Sequence, residues 1–237
     1  MSNEQEGVPR ESPFRAGAKE IVVIALGILL AFAVDASWAS FRERAETRAT
    51  LGSVRAELEH NIVALQELEA AHLAVAEAGR QILQLTGPDA EVEDDEALIR
   101  LITSFWVPVR SSFSRGALQA MLASGRLSNV QSLELREGLA SWPDELDASD
   151  RADAEVAESW TSRGSIRLHV FVPEVNLSGR YADWESPSRF EADYVGLLRD
   201  LQFESLVAQR MALSAVGARR AARLRQAGER ILSLPGW

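Results

Sequence analysis

His60, His72 and His169 are the only imidazoles in the chain, and two of them stand in Glu-x-x-His spacing, as Glu57…His60 and Glu69…His72. In di-iron carboxylate bundles that spacing puts a carboxylate and an imidazole on one helix face, and motifs from different helices meet at one depth. Here both motifs fall on the same predicted helix, 12 residues apart. They are therefore separated by ~18 Å along its axis and cannot share one metal pair within a chain. Both are read as solvated surface histidines. Asp89, Glu91, Glu93, Asp94, Asp95 and Glu96 carry the charge of a calcium loop. They lack the alternating ligands and central glycine of an EF-hand, and are read as an N-cap with acids on the positive end of the next helix. Cysteine is absent, which removes thiolate metal sites, disulfides and cysteine nucleophiles. The chain has no G-x-S-x-G elbow, H-E-x-x-H pair, Walker loop or G-x-G-x-x-G fingerprint. The sequence thus names no catalytic residue, no metal ligand and no cofactor site, and the chain is expected not to be an enzyme.

One carboxylate stands out by its surroundings. Ile21 to Val34 reads IVVIALGILLAFAV without a charge, Asp35 follows, and Ala36 to Phe41 is again uncharged before Arg42. As a helix, residues 21–41 reach ~31 Å, about one hydrocarbon thickness. Asp35 then lies near one interface, and Trp38 and Phe41 make an aromatic belt at the same end. A cleaved signal peptide fits less well: the leading segment holds Glu4, Glu6 and Glu11, and Asp35 falls where small residues should lead to a cleavage site. The reading is a polar tail over 1–13, a transmembrane helix over 14–41 and an extramembrane domain over 42–237. Gly27 and Ala31 form a small-xxx-small pair that Asp35 extends by a turn, a face on which another membrane helix can pack. Arg10, Arg15 and Lys19 precede the span and Arg42, Arg44, Arg48 and Arg55 follow it, a near tie by the positive-inside rule. The extramembrane part is placed in the periplasm, with the cytoplasm as the alternative.

The elements beyond the span read as helices. No proline occurs from Phe41 to Leu85, and Leu51, Val54, Leu58, Ile62, Leu65, Leu68, Val75, Ile82 and Leu85 recur at helical spacing. Gly52 and Gly79 are its weak points. Gly87-Pro88 stops this helix. Another is predicted from Asp95 to Trp106, ended by Pro108. Ser112 or Ser114 caps a third, which runs to Ala123 and closes at Ser124-Gly125. A fourth starts near Asn129 and continues to about Val170, with Pro143 kinking it or starting a new turn. Residues 172–189 are the least helical stretch, a connection of ~18 residues that is functional or packed down by Tyr181 and Trp184. A last helix is predicted from about Phe190 to Leu232, with Phe190, Tyr194, Leu197, Leu201, Ala208, Met211 and Ala215 on one face. It carries Arg210, Arg219, Arg220, Arg223, Arg225 and Arg230, read as partners of the acidic 144–158 segment or of the helix dipole. With 35 acidic against 25 basic residues, a net charge of −10 argues against a nucleic-acid partner. No strand-like run stands out, so the fold class is all-α: a transmembrane helix continuing into an extramembrane helical bundle.

Two blocks carry a resemblance. The first is Glu20-Ile-Val-Val-Ile-Ala-Leu-Gly-Ile-Leu-Leu-Ala-Phe, Trp38, and the helix with Glu57-Leu58-Glu59-His60-Asn61. The second is Met121-Leu122-Ala123-Ser124-Gly125-Arg126-Leu127, followed by Leu133, Leu135-Arg136 and Leu139. Together they resemble a group of uncharacterised bacterial single-pass membrane proteins that share a domain of unknown function. The resemblance implies an N-terminal anchor, an all-helical extramembrane domain and a structural helix junction at Ser124, Gly125 and Leu127. It brings no catalytic residues. Members tend to have a lysine-rich, cytoplasmic N-terminus, from which the acidic tail here departs. The expected role is a non-enzymatic accessory or scaffolding subunit of a larger inner-membrane complex, photosynthetic or respiratory. Its partners would be other integral membrane subunits and the lipid bilayer, with no cofactor of its own. The alternative is a stand-alone envelope sensor or adaptor whose helical domain binds a ligand or protein.

Overall fold

In the computed structural model, residues 13–178 and 188–237 are described, and every regular element among them is helical. In order these are α1 (Pro13–Leu85), α2 (Asp95–Trp106), α3 (Gly116–Ala123), a 3-10 turn (Arg126–Asn129), α4 (Leu133–Leu168), α5 (Glu174–Ser178), α6 (Tyr194–Leu198) and α7 (Leu201–Ser233). The chain divides into two compact units, residues 1–50 and 51–237. The tail residues 1–12, and Tyr181 and Trp184 of the long connection, lie outside the described residues.

In the first unit, α1 is long and apolar enough to cross a membrane. Leu26, Ile28, Leu29, Leu30, Phe32, Val34, Trp38 and Phe41 are each 52–68% exposed. Burying one such side chain is worth ~1.5–3 kcal/mol, so the eight together leave on the order of 10–25 kcal/mol of burial unrealised in water.

The second unit is a bundle of α1 (from Leu51), α4 and α7. On α1 the buried positions include Leu51, Val54, Leu58, Asn61, Leu65, Leu68, His72, Val75, Gly79 and Ile82, alternating steps of three and four, with Glu57 and Ala78 buried beside them. On α7 they include Phe203, Val207, Arg210, Ser214, Gly217, Ala221, Leu224, Gly228 and Ile231, with the same alternation, and Ala218 is buried beside Gly217. This is the 3.5-residue seam of coiled-coil packing. One core joins Leu51–Leu68 of α1 with Leu135–Leu146 of α4 and Ala221–Ile231 of α7. A second joins Val75–Ile82, Trp160–Leu168 and Phe203–Val207 with α2 and α6. The pairing of the cores makes α4 parallel to α1 and α7 antiparallel to both.

Several expectations are corrected. Ser132, not Asn129, caps α4, accepting from the Leu135 amide, and Pro143 lies inside the uninterrupted helix. The single helix over Phe190–Leu232 is two, because the Asp200 side chain accepts from the Phe203 amide and starts α7 afresh. That restart shifts the buried face: Leu201 is 74% exposed, while Phe203 and Val207 are fully buried; Phe190, 81% exposed, precedes the Asp193 cap of α6 and lies outside any helix. Leu85 is exposed as well. Gly79 is no weak point, since it lies inside α1 beneath the side chains of Phe105 and Met211.

Candidate functional site

Gly27, Ala31 and Asp35 lie one turn apart on α1, and all three are exposed. A Cβ added at Gly27 would meet nothing within 4 Å, so the groove is open. Trp38 and Phe41 stack with ring centroids 6.0 Å apart and line a shallow apolar cleft with Asp35 and Ser37.

The Ser124–Gly125 junction is built by hydrogen bonds. Ser124 N donates to Ala120 O at 3.0 Å and Gly125 N to Leu122 O at 3.1 Å. Gly125 has φ 70, the left-handed conformation that closes helices at little cost only for glycine. No neighbour lies within 4 Å of its absent Cβ, so the requirement comes from the backbone alone. The chain then turns through residues 126–129, and Leu127 packs on the first core.

The other end of α3 is held by a device that a reading of local caps misses. Neither Ser112 nor Ser114 caps it; the N-cap residue is Arg115, which contributes no side-chain hydrogen bond. Instead Glu57 reaches across from α1 and accepts from the amides of Ala117 at 2.7 Å and Leu118 at 3.2 Å. Asn61, one turn on, accepts from Ser114 N and donates to Ser114 O, both at 2.8 Å. A carboxylate at a helix N-terminus meets unpaired amides and the positive end of the dipole. The Glu57–Asn61 stretch and the Met121–Leu127 stretch therefore hold the two ends of one eight-residue helix.

Between the two cores lies a polar layer. His72 is not a surface residue: it is 4% exposed, whereas His60 is exposed as expected. Its Nε2 is 3.4 Å from Asp153 Oδ1, and Arg220 Nη1 is 3.4 Å from the same oxygen. Ser149 and Ser214 complete the layer. Both ring nitrogens of His72, Oδ2 of Asp153 and Oγ of Ser149 have no hydrogen-bond partner among the described residues. The imidazole fits because α7 presents Gly217 to it; a Cβ there would lie 2.5–2.7 Å from the ring atoms. Asp153 and His72 form a base–orienter pair in composition, but both are more than nine-tenths buried, so no substrate reaches them. A polar layer of this kind fixes the register of packed helices at some loss of stability.

The arginines of α7 divide. Arg220 pairs with Asp153 of the acidic segment, while Arg225 pairs with Glu229 at 2.8 Å and Glu69 at 3.4 Å. Arg210 has no carboxylate partner among the described residues. It is 4% exposed, lies 4.7 Å from the Trp160 ring centroid and 5.2 Å from that of Phe105, and donates to Val107 O at 2.7 Å. Burial pushes its guanidinium down to about 10, still charged at neutral pH, and the aromatic faces and the carbonyl stand in for a counter-ion. The acids Asp147 and Asp150 take Arg115 instead of the α7 arginines. Among the acids before α2, Asp94 caps the helix as expected, accepting from Ala97 N at 3.0 Å. The described residues hold no cluster of three metal-ligating side chains.

A cleft of about 260 Å³ opens between the end of α2 and α5, lined by Ile102, Thr103, Trp106, Val107, Pro108, Glu174 and Leu177.

No family model matches the chain, and no curated protein or solved structure matches it either.

Proposed function

We propose that the chain is a single-pass membrane protein of the bacterial inner membrane. Its helical bundle serves as a non-enzymatic accessory or scaffolding subunit of a larger membrane complex, photosynthetic or respiratory, and lies on the periplasmic side. The observation that carries the reading is the exposed apolar stretch of α1 between Leu26 and Phe41, in a chain whose other long helices bury their apolar seams. Such a surface is stable in lipid, and Trp38 and Phe41 suit the interface. The open groove at Gly27 and Ala31, with Asp35 one turn on, suits close approach of a second membrane helix. The resemblance to anchored helical proteins agrees with this.

Mild-detergent purification of a tagged chain, followed by mass spectrometry of the proteins that co-migrate, tests the reading. Integral membrane partners are expected in fixed proportion. Gly27→Leu keeps the segment apolar but fills the groove, and is expected to stay in the membrane and lose those partners. Migration of the wild-type chain alone would contradict the scaffolding role. It would favour the second reading, an envelope sensor or adaptor, which the cleft beside Trp106 supports.

A further inference from the structure

We infer that Arg44 and Arg48 of α1 form a docking surface for the phosphate of an anionic phospholipid, at the point where the helix leaves the bilayer. The inference rests on the reading of α1 as an anchor and goes beyond it by naming the headgroup that the interfacial end selects.

The charges at the end of the apolar stretch are sorted by face. At 3.6 residues per turn each residue advances about 100° round the helix axis. With Phe41 as reference, Arg48 lies about 20° and Arg44 about 60° to one side, and Trp38 about 60° to the other. Asp35, Glu46 and Glu43 lie about 120–160° away, on the back of the helix. Arg42, at about 100°, falls between Trp38 and those acids. All of these residues are exposed. Arg44 and Arg48 thus stand together on the face of the stacked Trp38–Phe41 pair, and neither has a carboxylate partner among the described residues. Arg42 is nearer the apolar stretch but keeps the company of carboxylates.

The axial order suits a headgroup. Arg44 and Arg48 stand ~4.5 and ~10.5 Å beyond Phe41 along the axis. A helical side chain leans toward the N-terminus and covers the turn before its own Cα. On α1 that direction leads back to the apolar stretch, so both stems lie along the helix while the guanidiniums reach toward headgroup level. Trp38 and Phe41 set the depth of that level. Two like charges four residues apart repel, with Cβ atoms ~5–6 Å from one another, and an anion between them relieves the repulsion. The guanidinium fork matches phosphate oxygens and is more weakly hydrated than an ammonium. A zwitterionic headgroup carries its own cation beside the phosphate, so the pair favours a lipid with net negative charge. Each arginine near an anionic surface is worth about fivefold in binding, which bounds the preference of the two at about 25-fold.

The test uses the full-length chain in bilayers of phosphatidylglycerol and phosphatidylcholine, with one or the other lipid brominated on its acyl chains. The readout is quenching of Trp38, isolated by subtracting the emission of Trp38→Phe, and its dependence on composition gives the relative affinity of the two lipids at the helix. Wild type is expected to prefer phosphatidylglycerol roughly tenfold at low salt and to lose most of that preference at about 0.5 M sodium chloride. Arg44→Gln and Arg48→Gln, which keep good helix formers at exposed positions, are each expected to lower the preference about threefold, and together to abolish it. Arg42→Gln removes the same charge as either and is expected to keep the wild-type preference. Inorganic phosphate, added at matched ionic strength, is expected not to compete. Equal quenching by both lipids in wild type, a loss in Arg42→Gln as large as in Arg44→Gln, or displacement of the lipid by inorganic phosphate would each overturn the inference and leave the anchor standing. Absence of Trp38 quenching by either lipid would overturn the anchor, and the inference with it.

Discussion

Replacing Glu57 by alanine removes the acceptors that hold the start of α3. Glu57 is 9% exposed, and its carboxylate takes two backbone amides at 2.7 and 3.2 Å and stands 3.4 Å from Ser114 Oγ. A hydrogen bond to a charged group is worth ~1.5–3 kcal/mol, and an amide left unpaired inside the protein costs on the order of 1–3 kcal/mol. The site is only part-buried, so water recovers a share, and the expected loss for Glu57→Ala is about 3–4 kcal/mol. For a domain of this size 1 kcal/mol moves Tm by ~2–4 °C, so the melting temperature should fall by roughly 6–16 °C. Glu57→Gln keeps one oxygen acceptor, loses the charge at the positive helix end, and should cost ~1–2 kcal/mol. Asn61→Ala acts on the same segment through Ser114, so the double variant should cost less than the sum, with a coupling of ~0.5–3 kcal/mol. Thermal unfolding followed by circular dichroism gives the stabilities, and hydrogen exchange at the Ala117 and Leu118 amides locates the effect. A Glu57→Ala protein within about 0.5 kcal/mol of wild type, the range of neutral surface changes, would refute the reasoning. So would unchanged protection of those two amides.

Gly125→Val forces a branched side chain into the left-handed region and should cost more than the ~1–2 kcal/mol of an ordinary Cβ, while Gly125→Asn should be milder; equal, negligible effects on Tm would contradict the junction. Gly217→Ala sets a methyl carbon 2.5–2.7 Å from the His72 ring and should destabilise by ~1–3 kcal/mol through overpacking. The double variant with His72→Ala should recover part of that loss, and the absence of recovery in unfolding experiments would separate the two residues. Burial pushes the Tyr194 phenol above its ordinary value, with Asp95 adding to the rise and the Asn176 hydrogen bond opposing it. An acid whose folded pKa is raised withdraws stability as pH climbs above its unfolded value near 10. Phenolate absorbance should therefore show a late-titrating component that Tyr194→Phe removes, and a titration unaltered by that substitution would contradict the burial.

Asp94 and Pro108 delimit α2, and Gly125 closes α3, because each acts through local backbone chemistry that survives any tertiary context. The seam of α1 was legible in its leucines but not in full. Asn61 lies between Leu58 and Leu65 in steps of three and four, and His72 likewise between Leu68 and Val75. The spacing is present, but apolar residues alone leave both polar members off the seam, and His72 reads as a surface residue. Its burial depends on Gly217, 145 positions later, which no local pattern links to it. Phe190 differs for the opposite reason: it fits the apolar rhythm of the following residues, but the Asp193 cap starts α6 only after it and leaves it outside the helix. The clamp from Glu57 to α3 joins residues about sixty apart, and the cleft exists only once α5 lies beside α2. Of the least helical stretch, 172–189, Glu174 and Leu177 line that cleft, and 179–187 lie outside the described residues.

The central claim, that α1 anchors the chain in a bilayer, is tested most directly by alkaline carbonate extraction of membranes from cells making the full-length protein. The exposed apolar run from Leu26 to Phe41 predicts that the chain stays in the pellet together with integral membrane proteins, while peripheral proteins are released. Recovery of the full-length chain in the supernatant would contradict the anchor and with it the account built on it.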